Sequence, residues 1–214
     1  MGGPRLWGGL SRSRVAAFTL ALAAVCATAA VGAQERARAP VREGRESPGV
    51  EEAYAELPNF HRVNEHFYRG GQPREGGLAK LASMGVRTIL NLRDDDGRAE
   101  EEGREAAALG LRYFNVPISR AGRPSRERIE ELMALVDAPE NRPIFVHCKR
   151  GADRTGAFVA AYRIMHEGWT AERALAEAEH YGMGFWQHGK KDFINDFYRD
   201  HAAPAKQAEP HSSH

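Results

Sequence analysis

His147-Cys148-Lys149-Arg150-Gly151-Ala152-Asp153-Arg154-Thr155-Gly156 places five residues between a thiol and a guanidinium, with a glycine on either side of the arginine. The run before it, Pro143-Ile144-Phe145-Val146, is short, apolar and β-favouring. The run after it, Ala157 to Met165, reads as a helix. A strand, a tight loop and a helix N-terminus in that order turn successive main-chain N–H groups towards one point, where they hold an oxyanion. A cysteine at the base of such a site is a nucleophile set against the bound anion.

The residue types specify the chemistry further. A free thiol titrates near about 8.5, and amides with a helix N-terminus aimed at the sulfur lower that by several units. Arg154 offers a planar fork that can hold two phosphate oxygens at once. Charge spreads over the equatorial oxygens during phosphoryl transfer, so Arg154 and the amides would stabilise that transition state while Cys148 attacks in line. A phosphocysteine would then await water. Thr155 can donate a hydrogen bond to the departing sulfur. Lys149, Arg150, Gly151, Ala152 and Gly156 are the expected substrate-binding residues of the loop, and its glycines allow backbone to approach ligand closely. This chemistry calls for no cofactor and no metal. The competing reading is a buried structural cysteine at a strand end beside an unrelated surface arginine.

The segment resembles the signature loop of the cysteine-dependent tyrosine and dual-specificity phosphatase superfamily, His-Cys-x-x-Gly-x-x-Arg-Thr-Gly, and meets every fixed position of it. Rhodanese-like sulfurtransferases resemble it less, because their cysteine loop is typically shorter. The resemblance implies a phosphomonoesterase acting on phosphotyrosine or phosphoserine proteins, phosphoinositides or inositol phosphates. It also implies a general-acid Asp on a separate loop, yet the matching stretch, Val116 to Pro124, holds no carboxylate. A phosphate-binding module without turnover therefore stays open. Asp153 resembles the in-loop Asp proposed as the acid in myotubularin-like and some bacterial phosphatases, and it could equally brace Arg154 from the helix's first turn. Asp94, Asp95 and Asp96 are the runner-up for the acid, or else a solvated turn. Arg93 ends an Asn-Leu-Arg strand that sits near the phosphate loop in similar bacterial proteins, so a supporting or substrate-binding role is implied for it. His147 is expected to order the loop from behind.

Residues 1–33 read as a secretory signal peptide: Arg5, Arg12 and Arg14, an uncharged run from Val15 to Ala33, and small residues at the exit. Export to the periplasm or beyond follows, with membrane contact only if the segment is retained. Cleavage would remove Cys26 and leave Cys148 alone, so no second thiol of the chain could trap the nucleophile. It would also take three of the chain's 30 basic residues, leaving 27 against 29 acidic ones. Such a balance gives no footing for a nucleic-acid binder. Lys149, Arg150, Arg120 and Arg123 would make the pocket mouth basic if all turned inward.

Residues 34–57 are expected to be a polar linker, although Ala53 to Leu57 could fold onto the domain. Residues 202–214 are expected to be a disordered tail, with His211 and His214 in it. Oligomeric state is not legible. Between these, residues 58–201 alternate strands with helices, an α/β domain with a central, mainly parallel sheet flanked by helices. Expected strands are His61 to Arg69, Val86 to Leu92, Leu111 to Pro117 and Pro143 to His147. Ser125 should cap a helix with Ile129, Leu132, Met133 and Val136 on one face. Thr170 should cap another through His180, and Asp192 to Asp200 should form the last. The resemblance extends over this domain, to the compact dual-specificity type and a bacterial branch carrying Tyr68-Arg69-Gly70-Gly71-Gln72-Pro73. The Gly-aromatic stretch Tyr181 to Trp186 could rim the pocket, but is read as packing for the last helix and is not counted in the site.

Overall fold

The computed structural model describes residues 54–206. The expected signal peptide, Cys26, most of the expected linker, and His211 and His214 lie outside the described residues. The domain reaches further at both ends than 58–201. Leu57 is buried and Tyr54 meets Phe60 edge-on, so the last linker residues belong to the fold. At the other end the final helix continues to Lys206, where Ala202 and Ala203 favour helix over a frayed tail.

Five strands form one sheet in the order β1-β2-β5-β3-β4. β1 (His61–Asn64) runs antiparallel to β2 (Phe67–Gly70), and β2, β5 (Ile144–His147), β3 (Thr88–Asn91) and β4 (Arg112–Asn115) are mutually parallel. The expected single strand from His61 to Arg69 is thus a hairpin. Its side chains alternate as one strand's would, and only pairing reveals the turn at Glu65 and His66. Among the described residues six helices surround the sheet: α1 (Gly77–Ser83), α2 (Gly97–Ala108), α3 (Arg126–Asp137), α4 (Asp153–Glu167), α5 (Ala171–His180) and α6 (His188–Lys206).

Alternation along the strands decides which helices each face holds. Ile144 and Val146 of β5 join Leu90 in a core with Ile129 and Leu132 of α3, Phe158 of α4, and Phe193 and Ile194 of α6. Phe145 and Ile89 point the other way, onto Leu78 and Leu81 of α1 and Ala106 of α2. Each fully buried Leu or Phe contributes about 2–3 kcal/mol. The expected stripe of α3 is buried in full, and Ser125 and Thr170 accept the capping bonds expected of them. β5 lies between β2 and β3, so the chain reverses its direction of travel across the sheet there. Such a switch point opens a crevice at the strand C-termini. Cys148 follows β5 directly into it.

Candidate active site

The loop from Cys148 to Ala152 is shaped from outside by three donors. Gln72 N donates to Lys149 O at 3.3 Å, Asn59 Nδ2 to Arg150 O at 3.1 Å and Arg69 Nη2 to Gly151 O at 2.7 Å. A planar peptide holds its C=O and N–H antiparallel, so each carbonyl pulled outward turns the next N–H inward. Those are the N–H groups of Arg150, Gly151 and Ala152. No side chain caps the start of α4, which leaves its first N–H groups for the cradle as well. Gly151 has φ of 72°, and a Cβ there would come within 2.5 Å of Gly70 C. The loop and the Gly70-Gly71 pair are therefore pressed backbone to backbone.

Arg69 is the main brace of the loop. It is buried, its guanidinium lies 4.3 Å from the Tyr181 ring centre, and burial pushes its pKa down to about 10 against the opposing charges of Glu177, Tyr181 and Cys148. In sequence the motif Tyr-Arg-Gly-Gly-Gln-Pro marks a strand end and the resemblance to a bacterial branch, with no role for its arginine. Its function is visible once β2 and β5 are seen side by side.

Cys148 is 3% exposed. Burial alone would push the thiol up. The Thr155 hydroxyl and N–H, the Arg154 charge and the Arg150 N–H together outweigh burial and hold it below its ordinary value. Thr155 Oγ1 is buried without a well-aligned hydrogen-bond partner, and its proximity to the sulfur favours the thiolate. Arg154 is buried too, donating to Leu92 O at 3.3 Å, with Asp94 Oδ2 3.8 Å from its Nη1. Thiolate, hydroxyl and guanidinium converge as the loop sequence requires.

A cavity of about 320 Å³ opens over Cys148, lined by Arg120, Lys149, Arg150, Asp153, Arg154 and Gln187. Asp153 Oδ2 accepts from Arg150 at 2.5 Å and Oδ1 from Gly184 N at 3.0 Å. It therefore lines the pocket and braces two loops at once. Asp94 reaches Arg154 and stands 4.0 Å from Arg120 Nε. Asp96 caps α2, the turn reading of that acidic run. Arg93 is not at the cradle: it donates to Gln72 Oε1 at 2.6 Å and faces a larger cavity, about 740 Å³, beyond Lys149 and Arg150. Arg123 also turns away from the mouth and pairs with Asp196 of α6. The basic mouth is Arg120, Lys149 and Arg150, without Arg123.

Behind the loop His147 is fully buried, with Nδ1 3.4 Å from Cys148 O and Nε2 3.1 Å from Glu102 Oε1, the latter off the line of a good hydrogen bond. Burial would raise the Glu102 carboxyl. The close approach of the His147 ring and the hydrogen bonds from Tyr113 and Gln72 more than offset that and leave it lowered. Asn91 Nδ2 donates to it as well. Nothing in the helical pattern of α2 marked Glu102 among its acidic neighbours, since a single inward position looks like the solvated face around it. The Gly-aromatic stretch does more than pack. Met183 is buried, Gly184 binds Asp153, and Phe185 and Trp186 stand 76% and 55% exposed.

Residues 52–196 match a sequence family described as DSP-PTPase phosphatase fused to NAD+ kinase. The chain is 30% identical over 175 residues to the dual specificity protein phosphatase TpbA of Pseudomonas aeruginosa, covering 82% of this chain and 77% of that one. It is 29% identical over 145 residues to inositol diphosphatase DSP5 of Arabidopsis thaliana, 65% of this chain and 70% of that one. Among solved structures, the catalytic domain of the PP-IP phosphatase Siw14 from S. cerevisiae superposes with a TM-score of 0.61 at 22% identity, over 70% of this chain and 92% of that one. P. aeruginosa TpbA gives 0.54 at 24% identity, over 71% and 99%. These structural likenesses bear on the fold, which is the same.

Proposed function

Because the chain belongs to this family of dual-specificity-type cysteine phosphatases, we propose that it hydrolyses polyphosphorylated, hydrophilic substrates of the inositol phosphate class through a phosphocysteine. That it is a cysteine-dependent phosphatase follows from the family. The finer reading rests on the pocket wall: among the described residues four cations, one carboxylate and one amide line the cavity over Cys148, and no aromatic or aliphatic side chain joins them. A phenyl ring gains its affinity from apolar walls. A ring bearing several phosphates gains it from charge-assisted hydrogen bonds. Inositol diphosphatases among the relatives act on substrates of that kind.

In this reading the Cys148 sulfur forms a bond to phosphorus as the bond to the leaving oxygen breaks, and Asp153 gives that oxygen its proton. Water then attacks phosphorus, returning a proton to Asp153. The S–P bond breaks with Thr155 donating to the sulfur. Asp153 is assigned because it is the carboxylate on the pocket wall, and its Arg150 partner can exchange onto substrate.

The test is a panel of inositol hexakisphosphate, a diphosphoinositol phosphate and a phosphotyrosine peptide, run with chelator. We expect kcat/KM at least about tenfold higher for the inositol substrates, the worth of one charged hydrogen bond. One observation favours phosphotyrosine protein instead: the exposed Phe185 and Trp186 beside Gln187. TpbA has been crystallised with pTyr. Peptide turnover exceeding that of both inositol substrates would establish that second reading. Wild type failing on p-nitrophenyl phosphate would leave only a phosphate-binding module.

Export is part of the proposal, supported by the basic, apolar and small-residue order of residues 1–33. N-terminal sequencing of protein recovered from its native host should begin just after Ala33. An intact Met1 terminus on membrane-bound protein would overturn cleavage.

A further inference from the structure

The wall opposite the phosphate loop carries an unusual charge. Lys190, in the first turn of α6, is completely buried, and its Nζ meets three neutral acceptors: Arg120 O at 3.0 Å, Gly122 O at 3.4 Å and Gln187 Oε1 at 3.1 Å. No ion pair of Lys190 occurs among the described residues. Beside it α6 touches the same loop backbone to backbone, since a Cβ on Gly189 would stand 2.7 Å from Gly122 C. A buried ammonium without a carboxylate is costly. Where the only need is to tie a loop down, a neutral donor would serve at lower cost.

The loop so held is the one without a carboxylate, and two of the residues gathered around Lys190, Arg120 and Gln187, line the cavity over Cys148. We propose that Lys190 is a positioning residue: its ammonium pins the Ser119 to Arg123 loop against α6 and thereby holds the Arg120 guanidinium where it grips a second phosphate of the substrate. The loop's contribution is then a cation for binding rather than a proton for the leaving group. Burial lowers the Lys190 pKa, with Arg154 acting in the same direction and Asp153 and the Cys148 thiolate opposing.

The inference rests on the phosphatase activity but not on which inositol phosphate is hydrolysed. The measurement is therefore competitive inhibition of p-nitrophenyl phosphate hydrolysis by inositol hexakisphosphate, which reads binding whether or not the inhibitor is turned over. In the full chain, Lys190→Met should raise the inhibition constant about tenfold, the loss of one charged contact. It should leave kcat and KM for p-nitrophenyl phosphate within about twofold, since a single phosphate needs only the cradle and Arg154. Arg120→Ala should raise the inhibition constant by a similar factor, and adding Lys190→Met to it should raise it no further, because the lysine acts through the arginine. If the two effects multiply, if p-nitrophenyl phosphate kinetics fall equally, or if the hexakisphosphate does not compete with wild type, the proposal is overturned. Should Lys190→Met fail to fold, Gly189→Ala carries the test with the lysine intact. Its methyl displaces Gly122, so the inhibition constant should rise in wild type and not in the Arg120→Ala background. An unchanged constant in wild type would overturn the proposal equally.

Discussion

The two walls of the pocket over Cys148 are built on opposite plans. One is the loop from Cys148 to Ala152, continuous in sequence, its carbonyls drawn outward by Asn59, Arg69 and Gln72. The other gathers Arg120 from the loop after β4, Gln187 from the turn before α6 and, behind them, Lys190. The first wall is contiguous in the chain, its turns permitted by glycine and its carbonyls held by distant donors. The second is held by one buried ammonium and a glycine-to-glycine contact. A continuous loop grips the group that reacts, whereas an assembled wall selects what that group is attached to. Chemistry should therefore be sensitive to the first wall and substrate preference to the second.

Cys148→Ser probes the difference at its largest. Loss of the nucleophile should lower kcat by about 10⁴ or more on every substrate while binding of inositol hexakisphosphate persists. Residual turnover near wild type would end the division between the walls. The same thiol gives a pH signature: because its pKa is lowered, the thiolate persists to lower pH than that of a free thiol and is lost as pH falls through the lowered value. Iodoacetamide alkylation should accordingly begin to decline at a lower pH than that of a free thiol measured alongside. A midpoint in the range of a free thiol would mean the cradle does not act on the sulfur.

Gly151→Ala should come next. The new methyl would overlap Gly70 and Gly71 at a positive φ, displacing the loop and lowering kcat on aryl and alkyl phosphates alike by about 10². A variant affecting KM alone would place Gly151 with the selecting wall. Asp153 joins the two walls through Arg150 and Gly184. Asp153→Asn should slow alkyl phosphate hydrolysis by about 10² and p-nitrophenyl phosphate far less, as loss of an acid does. Equal losses would mark it as a brace, and Asp94→Asn, measured alongside, would then be the variant expected to discriminate between leaving groups.

Glu102→Gln gives the smallest kinetic effect and tests the support behind the loop. Its carboxyl is held below the ordinary value in the folded protein. Its contribution to stability is therefore present above the unfolded value of 4.5 and disappears as pH falls through the folded one. The substitution should cost about 3 kcal/mol at pH 7. It should also flatten the loss of stability below pH 4.5, which denaturant titrations at several pH values would read. An unchanged acid limb would remove Glu102 from that role.

Much of the first wall was legible beforehand because its contacts run along the chain. Cys148, Arg154 and Thr155 meet through loop and helix geometry that ten consecutive residues encode. The stripe of α3 and the caps at Ser125 and Thr170 were legible for the same local reason. Arg93 is legible in sequence only as a strand-end cation near the phosphate loop; that it meets the loop through Gln72, in the cavity it shares with Lys149 and Arg150, depends on a neighbouring strand end. Which basic side chains turn into the mouth was not legible, and Arg123 turns away because Asp196, 73 residues away in the chain, offers it a partner on α6.

By itself, then, the amino-acid sequence determined the alternation of strands and helices, the nucleophile and the anion cradle, since each depends on spacing and on conformations glycine permits. Only the tertiary structure decided what holds that cradle open and what faces it. Arg69, Glu102 and Lys190 are charged residues that look solvated in any window of sequence. They become functional because packing removes them from water, and a buried charge must then be met by particular distant partners.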